Sequence, residues 1–156
     1  CRDLAAAGGR GMITPDLIVD EAGDWLGASE QFGLDRVFLV APSSTPERLA
    51  LTTAHCSGFV YAASTMGVTG ARDAVSNMAP ELVSRVRAVS DIPVGVGLGV
   101  GSREQAAEIA AYADGVIVGS ALVSTLLDRS PEEGLAALRA LTEELAEGVR
   151  MTLARV

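Results

Sequence analysis

The sequence is short of the residues that build metal centres and nucleophilic sites. It has two cysteines and one histidine among 156 residues, and Cys1, Cys56 and His55 form none of the closely spaced clusters that zinc requires. With so few thiols, we expect a reducing, cytoplasmic environment and no structural disulfide. His55 ends a predicted helix beside no recognisable nucleophile pattern, so it is assigned no role.

Positive charge and long apolar runs are also scarce. The chain has 12 basic residues against 20 acidic ones, a net charge of −8, which disfavours a polyanionic partner such as nucleic acid. No apolar run approaches the roughly 20 residues of a membrane span, so no membrane association is expected. Aromatic residues make up only 4% of the chain, but 49% of it is apolar, which is enough for a sizeable buried core.

Five short β-rich apolar runs alternate with helical patterns. The runs cover residues 11–14, 37–40, 59–62, 93–96 and 115–118. This alternation is typical of parallel strands joined by crossover helices. Capping residues, prolines and glycines predict helices over residues 20–32, from Thr45-Pro46 onward, over 80–89, over 102–112 and over 131–151, with a short helical stretch over 122–127.

The number of units leaves two architectures open. A complete (β/α)8 barrel needs about 250 residues, so five units in 156 residues suit part of a barrel, and a five-stranded open α/β sheet suits them equally. The chain opens at Cys1 without a methionine and runs at once into what reads like the end of a helix. We therefore expect it to have been cut from something longer.

Two glycine-rich strand ends favour a phosphate site. Glycines alternate over residues 95–101, and the last run stops at Gly119-Ser120 before a short helix. Glycine lets an anion approach backbone amides, and a helix start favours negative charge. Each cluster alone is more often a turn or a close packing contact. Because barrels commonly bind phosphate with the loops after their last two strands, the two together predict phosphate binding.

Two further segments are candidates for function. The glycine-bearing segment 64–72 has the small-residue composition of a mobile lid, although a plain solvent loop is the alternative. Asp16 follows the first run, at the strand end where barrel enzymes keep their chemistry. A capping or turn role for Asp16 is a nearly equal alternative.

Three motifs in order and spacing resemble one known family. They are YAASTMGVTGAR at 61–72, PVGVGLG at 93–99 and GVIVGSALV at 115–123, supported by PDL at 15–17 and FLVAPSSTP at 38–46. Together they resemble the tryptophan synthase alpha subunit family over essentially the whole chain. The resemblance implies an α/β fold: the C-terminal part, about five βα units, of a TIM (β/α)8 barrel. It would be a single domain over residues 1–156, completed by residues outside this chain or by a second copy.

The resemblance also implies a reaction and its partners. The family is a lyase of tryptophan biosynthesis that cleaves indole-3-glycerol phosphate to indole and glyceraldehyde 3-phosphate. It works in the cytoplasm as a heterotetramer with a beta subunit, and pyridoxal phosphate belongs to that beta subunit. The alpha subunit itself would need no cofactor and no metal.

Carried over residue by residue, the resemblance predicts a binding site without a catalytic acid or base. The phosphate would be held by Gly70, Gly99, Gly119 and Ser120. The indole pocket would be lined by Ile13, Tyr61 and Leu98, where some members carry an aromatic residue in place of Leu98. Thr69 would belong to the lid, and Asp16 to coupling with the beta subunit.

The family's catalytic glutamate and aspartate lie on the second strand and the loop after it, whereas this chain would begin just before the fourth strand. No residue here therefore inherits either catalytic role. Two other hypotheses stay open. One is a non-catalytic phosphate-binding half-barrel that self-associates through its unpaired strand edges. The other is a different phosphate-binding barrel, such as an isomerase of the same pathways, against which the lid sequence argues.

Overall fold

The chain has an α/β architecture in which strands and helices alternate. The computed structural model describes residues 1–63, 72–97 and 99–153. The elements, in chain order, are α1 (Arg2–Ala6), β1 (Gly11–Ile13), a 3-10 turn (Val19–Glu21), α2 (Gly23–Phe32), β2 (Asp35–Val37), β3 (Leu39–Val40), α3 (Pro46–His55), β4 (Val60–Ala63), α4 (Arg72–Arg87), β5 (Val94–Gly97), α5 (Arg103–Ala110), β6 (Gly115–Ile117), α6 (Ser120–Ser124) and α7 (Pro131–Leu153).

The strand pairs are parallel, as the alternation predicts. β1 pairs with β2, β3 with β4, and β5 with β6, so each of the five apolar runs is confirmed as strand. The second run is divided at Phe38. The Val37 carbonyl accepts from the Thr14 amide, and the Phe38 carbonyl accepts from the Tyr61 amide, each at 3.0 Å. Successive carbonyls of a strand face opposite sides, so this segment joins β1 on one side and β4 on the other.

The described residues fall into two compact units, Cys1–Val94 and Gly95–Val156. Fully buried side chains of the first unit include Leu49, Val60, Leu82 and Val86. The second unit buries Val96, Val100, Ala106, Ile109 and Leu145. Burying one such aliphatic side chain contributes about 1.5–3 kcal/mol, so each unit has a core of its own. The single domain expected over residues 1–156 stays a prediction.

Two predicted helix starts are confirmed by their caps. The Thr45 hydroxyl accepts from the Arg48 amide at 3.3 Å, and the Ser102 hydroxyl accepts from the Gln105 amide at 3.3 Å. Each hydroxyl satisfies an amide that has no partner within its helix. At the other end of α2, Gly33 adopts a left-handed conformation with φ +63°, which glycine tolerates. The predicted end of that helix is confirmed as well.

Helix α7 begins with a reciprocal cap. The Ser130 hydroxyl accepts from the Glu133 amide at 3.3 Å, and the Glu133 carboxylate accepts from the Ser130 amide at 3.1 Å and from its hydroxyl at 2.7 Å. This is a capping box. The Ser130 hydroxyl, followed by its amide, lowers the pKa of Glu133 below its usual value. A helix of 23 residues therefore starts from a local signal.

Helix α4 differs from the prediction. It begins at Arg72 instead of Pro80, and Pro80 lies inside it. Proline lacks an amide hydrogen and is a common first-turn residue, which is why the sequence placed the start there. Packing of α4 against α3 and β4 overrides that local signal. Near the helix end, Arg85 donates to the Pro42 carbonyl at 2.9 Å and to the Ser44 carbonyl, which fixes the connection before α3.

A small apolar cluster surrounds the segment between β1 and α2. Its buried members are Val19, Ala22 and Phe38, and Trp25 and Cys56 pack against them. Trp25 of α2 is therefore a packing residue. Burial raises the pKa of the Cys56 thiol above its usual value. Cys1 and Cys56 are both free thiols.

Candidate active site

The second unit brings its two glycine-bearing strand ends together. β5 and β6 are in register from Gly95 opposite Gly115 to Gly97 opposite Ile117, so both strands finish at one edge. A Cβ built on Gly101 would lie 3.6 Å from the Cβ of Ala121, which places the loop after β5 in contact with the start of α6. The predicted neighbourhood of the two segments is therefore confirmed.

The backbone at this edge is open. Gly99 has φ +55°, a conformation that favours glycine. Gly119 precedes α6, and no side chain caps that helix. Apart from each glycine's own chain neighbours, none of the described residues comes within 4 Å of a Cβ built on Gly99 or on Gly119. A ligand atom therefore has room beside Gly99 and beside Gly119.

Ser120 supplies a hydroxyl at the same place. It is the first residue of α6 and is exposed, while its carbonyl accepts from the Ser124 hydroxyl at 2.8 Å. The amides of Leu122 and Val123 bond to the Gly119 carbonyl at 3.0 and 3.1 Å. The first amides of a helix have no partner within it, so Ser120 and Ala121 present donors. These donors can bind an anion.

The arginine at the start of α5 is already paired. Arg103, at the start of α5, donates to the Glu147 carboxylate at 3.1 Å and lies 3.6 Å from that of Glu104. The Glu104 backbone amide, and then the Ser102 hydroxyl, lower the pKa of Glu104. The amide of Gly101 donates to the Gln105 side chain at 2.8 Å. Anion binding at this edge would therefore rely on neutral donors at Gly119 and Ser120.

The first unit places two predicted indole-pocket residues on β1 and β4, the strands on either side of the segment 35–40. Ile13 lies opposite Val37, and Tyr61 lies opposite Leu39. Residues two apart on a strand share a face, so Ile13, Leu39 and Tyr61 lie on the same side of these strands. Ile13 is 40% exposed, which leaves an apolar face open to a ligand. Sequence reasoning missed Leu39, because the run 37–40 is apolar throughout and its face depends on strand register.

Asp16 lies exposed in the turn after β1, where the Leu17 amide approaches the Thr14 carbonyl at 3.5 Å. The 3-10 turn that follows has no side-chain cap, so Asp16 does not cap it. Thr69, Gly70 and Leu98 lie outside the described residues, as do residues 64–71 of the lid predicted over 64–72, whereas Arg72 begins α4. Their predicted roles stay predictions.

The described residues contain neither a cluster of metal ligands nor a membrane-spanning helix. Within residues 1–63, 72–97 and 99–153, no group of three or more metal-binding side chains is close enough to hold an ion. None of the helices described is both long and apolar enough to cross a membrane.

Comparisons with known proteins agree on one family. A family model described as tryptophan synthase alpha chain matches residues 1–150. The tryptophan synthase alpha chain of Mycobacterium avium is 78% identical over 153 residues, covering 98% of this chain and 55% of that protein. That of Mycobacterium tuberculosis is 75% identical over 150 residues, covering 96% of this chain and 54% of that protein.

Solved structures give the same result. A structure of Mycobacterium tuberculosis tryptophan synthase aligns with a TM-score of 0.84 at 72% identity, over 96% of this chain and 55% of that one. A mutant tryptophan synthase alpha-subunit from Pyrococcus furiosus aligns with a TM-score of 0.75 at 31% identity, over 92% of this chain and 57% of that one. The chain spans about half the length of the curated relatives it matches. On this evidence, the chain belongs to the tryptophan synthase alpha chain family.

Proposed function

We propose that this chain carries the phosphate- and indole-binding part of a tryptophan synthase alpha-type lyase, folded as about the last five βα units of a (β/α)8 barrel. The observation that supports this most is the meeting of the β5 and β6 ends at Gly99, Gly119 and Ser120. Barrels of this kind commonly bind phosphate with the loops after their last two strands. The substrate would be indole-3-glycerol phosphate, cleaved to indole and glyceraldehyde 3-phosphate.

The phosphate would be held by neutral donors. The open backbone at Gly99 and Gly119 lets phosphate oxygens approach amides, and the Ser120 hydroxyl adds a further donor. Gly70 would complete the site from the lid, with Thr69 beside it. The indole ring would lie against Ile13, Tyr61 and Leu98, and the strand register adds Leu39 to the same face.

This chain would bind and position the substrate without moving its protons. Carbon–carbon cleavage needs protonation at the indole C3, removal of the indole proton and deprotonation of the glycerol hydroxyl. The family resemblance puts the glutamate and aspartate for these steps on the second strand of the barrel and the loop after it, whereas β1 would be the fourth strand. Asp16 would couple the site to a beta subunit, which holds the pyridoxal phosphate. The assembly would be a cytoplasmic heterotetramer of tryptophan biosynthesis.

Calorimetric titration of the purified chain with indole-3-glycerol phosphate tests the proposal. Gly119→Ala should weaken binding about tenfold or more, because its methyl group occupies the phosphate position and displaces a charge-assisted hydrogen bond. Gly27→Ala is the matched control, since its added Cβ also meets nothing within 4 Å among the described residues. Equal affinities for the two variants would remove the phosphate assignment.

Indole release separates binding from catalysis. The chain should release no indole from the substrate, with or without an added beta subunit. Release at a rate typical of the family would show that the chain contains its own acid and base. Asp16→Asn would then be the first variant to assay.

A second candidate is a non-catalytic phosphate-binding half-barrel that pairs with its own copy. It is favoured by β1, where Met12 and Ile13 are 43% and 40% exposed, since an exposed apolar strand invites pairing with another. Light scattering decides between the two. A dimer that binds phosphate would favour self-association, and a monomer would favour completion by a different polypeptide.

A further inference from the structure

A cavity in the first unit is lined mainly by residues that the proposed function does not assign to the substrate, although Leu39, from the indole face, also lines it. It has a volume of about 180 Å³ and lies between the segment after β1 and helix α3. Leu17, Val19 and Phe38 form its apolar wall, and Phe38 and Val19 are only 1% and 9% exposed. None of the predicted site residues is among the described residues that line it.

The volume suits a ligand of one ring. An apolar cavity of about 150 Å³ in an unrelated protein admits benzene, whereas sites for drug-sized molecules begin at about 300 Å³. A six-membered aromatic ring with one small substituent therefore fits this cavity. Ile18 also lines it and is 51% exposed, so a bound ring would cover apolar surface that now meets solvent.

Polar donors line the same cavity. Arg48 donates from Nη2 to the Asp20 carboxylate at 2.6 Å. Its Nε and Nη1 make no further bond among the described residues, and both can donate. The Ser44 hydroxyl accepts from the Ala41 amide at 3.1 Å, which leaves its own proton free. Both side chains are already held in place by these bonds, so a ligand oxygen could meet oriented donors.

The charge balance favours a neutral ligand. Asp20 already neutralises Arg48, and the chain as a whole carries a net charge of −8. A carboxylate in the cavity would add a second negative charge beside Asp20. A carbonyl or ether oxygen accepts the same hydrogen bonds without that repulsion.

We propose that this cavity binds a neutral monocyclic aromatic molecule carrying one hydrogen-bond-accepting oxygen. The ring packs against Leu17 and Phe38, and the oxygen accepts from Arg48 and Ser44. This site is independent of substrate binding at Gly119, so either assignment can fail without the other.

Acetophenone is the probe, with toluene and benzoate as its apolar and anionic analogues. In titrations followed by amide NMR on the full chain, acetophenone should bind with a dissociation constant on the order of 1 mM, a typical value for so small a ligand. Toluene and benzoate should each bind roughly fivefold more weakly. The shifted amides should be those of Leu17, Phe38 and their neighbours.

Two variants and one control test the contacts. Arg48→Met keeps the aliphatic stem and should reduce acetophenone affinity to that of toluene while leaving toluene unchanged. Thr52→Leu adds carbon atoms to the wall of the cavity, where Thr52 is 7% exposed, and should abolish binding of both probes. Arg139→Met removes an exposed arginine paired with Glu143 at 2.9 Å and should change nothing.

Three results would count against the proposed site. Undiminished binding to Thr52→Leu, or acetophenone shifts confined to residues outside the cavity, would overturn the proposal. So would benzoate binding more tightly than acetophenone. If either variant loses its helical circular dichroism, the pattern of shifts in the unmodified chain decides the location.

Discussion

Replacing Gly148 with alanine should destabilise the second unit although the residue lies inside a helix. A Cβ built there would clash with the Arg103 carbonyl oxygen and would lie 3.0 Å from the carbonyl carbon. Real Cβ atoms do not come so close, and backbone cannot rotate away as a side chain can. Helices α5 and α7 pack against each other along this contact. One of them must therefore move by about 1 Å.

The magnitude follows from two opposing effects. Alanine in place of glycine inside a helix stabilises the folded state by about 0.5–1 kcal/mol. Overpacking of a close contact costs about 1–3 kcal/mol. The clash is with backbone, so the upper half of that range applies and the net loss is about 1–2 kcal/mol. With a urea m-value of about 1.5 kcal/mol/M, the unfolding midpoint should fall by roughly 1 M.

Urea unfolding followed by circular dichroism measures this loss. The control is Gly27→Ala, which is also within a helix, but whose Cβ would meet nothing within 4 Å among the described residues. That variant should be unchanged or more stable by up to about 1 kcal/mol. A midpoint for Gly148→Ala equal to or above that of Gly27→Ala would refute the close approach of the two helices. Because α5 follows the loop of Gly101, phosphate affinity should fall together with stability.

Three further predictions concern ionisable groups. A hydrogen bond from Arg48 lowers the pKa of Asp20 below its ordinary value of 3.8. The pair therefore stabilises the folded chain above that pH, and this stabilisation is lost as the pH falls through the lower pKa of the folded state. Asp20→Asn should make the free energy of unfolding depend less on pH in that range. Burial raises the pKa of Cys56, so at pH 8 iodoacetamide should modify it more slowly in the folded chain than in urea, as mass spectrometry would show, and equal rates would contradict this. Arg85→Met loses the 2.9 Å bond to the Pro42 carbonyl and should cost about 1–2 kcal/mol, with faster hydrogen exchange in the connection before α3; unchanged exchange would show that this bond does not hold the connection.

The elements predicted best from the sequence are those with local signals. Thr45 and Ser102 cap their helices as the sequence indicates, because a cap involves residues only three positions apart. The alternating apolar runs gave the strands for the same reason. The start of α4 was predicted at Pro80, since proline is a local signal, whereas the true start depends on packing against α3 and β4.

In the candidate site too, features that depend on local signals could be predicted, and features that depend on distant contacts could not. That the glycine segments at Gly99 and Gly119 meet could be predicted, because adjacent parallel strands end at one edge. That Leu39 shares a face with Ile13 and Tyr61 depends on strand register, which no pattern within one strand specifies. The division into two compact units could not be predicted either, because burial in a core depends on contacts distant in sequence.

The capping box of α7 has a consequence for the order of folding. Ser130 and Glu133 are three residues apart, so their contact closes a very short loop, and helix formation takes on the order of a microsecond. The β5–β6 pairing joins Gly95 to Gly115, twenty positions apart, and such non-local pairing is slower. Helix α7 should therefore form early in folding, and the glycine edge that would hold phosphate should be among the last parts to form.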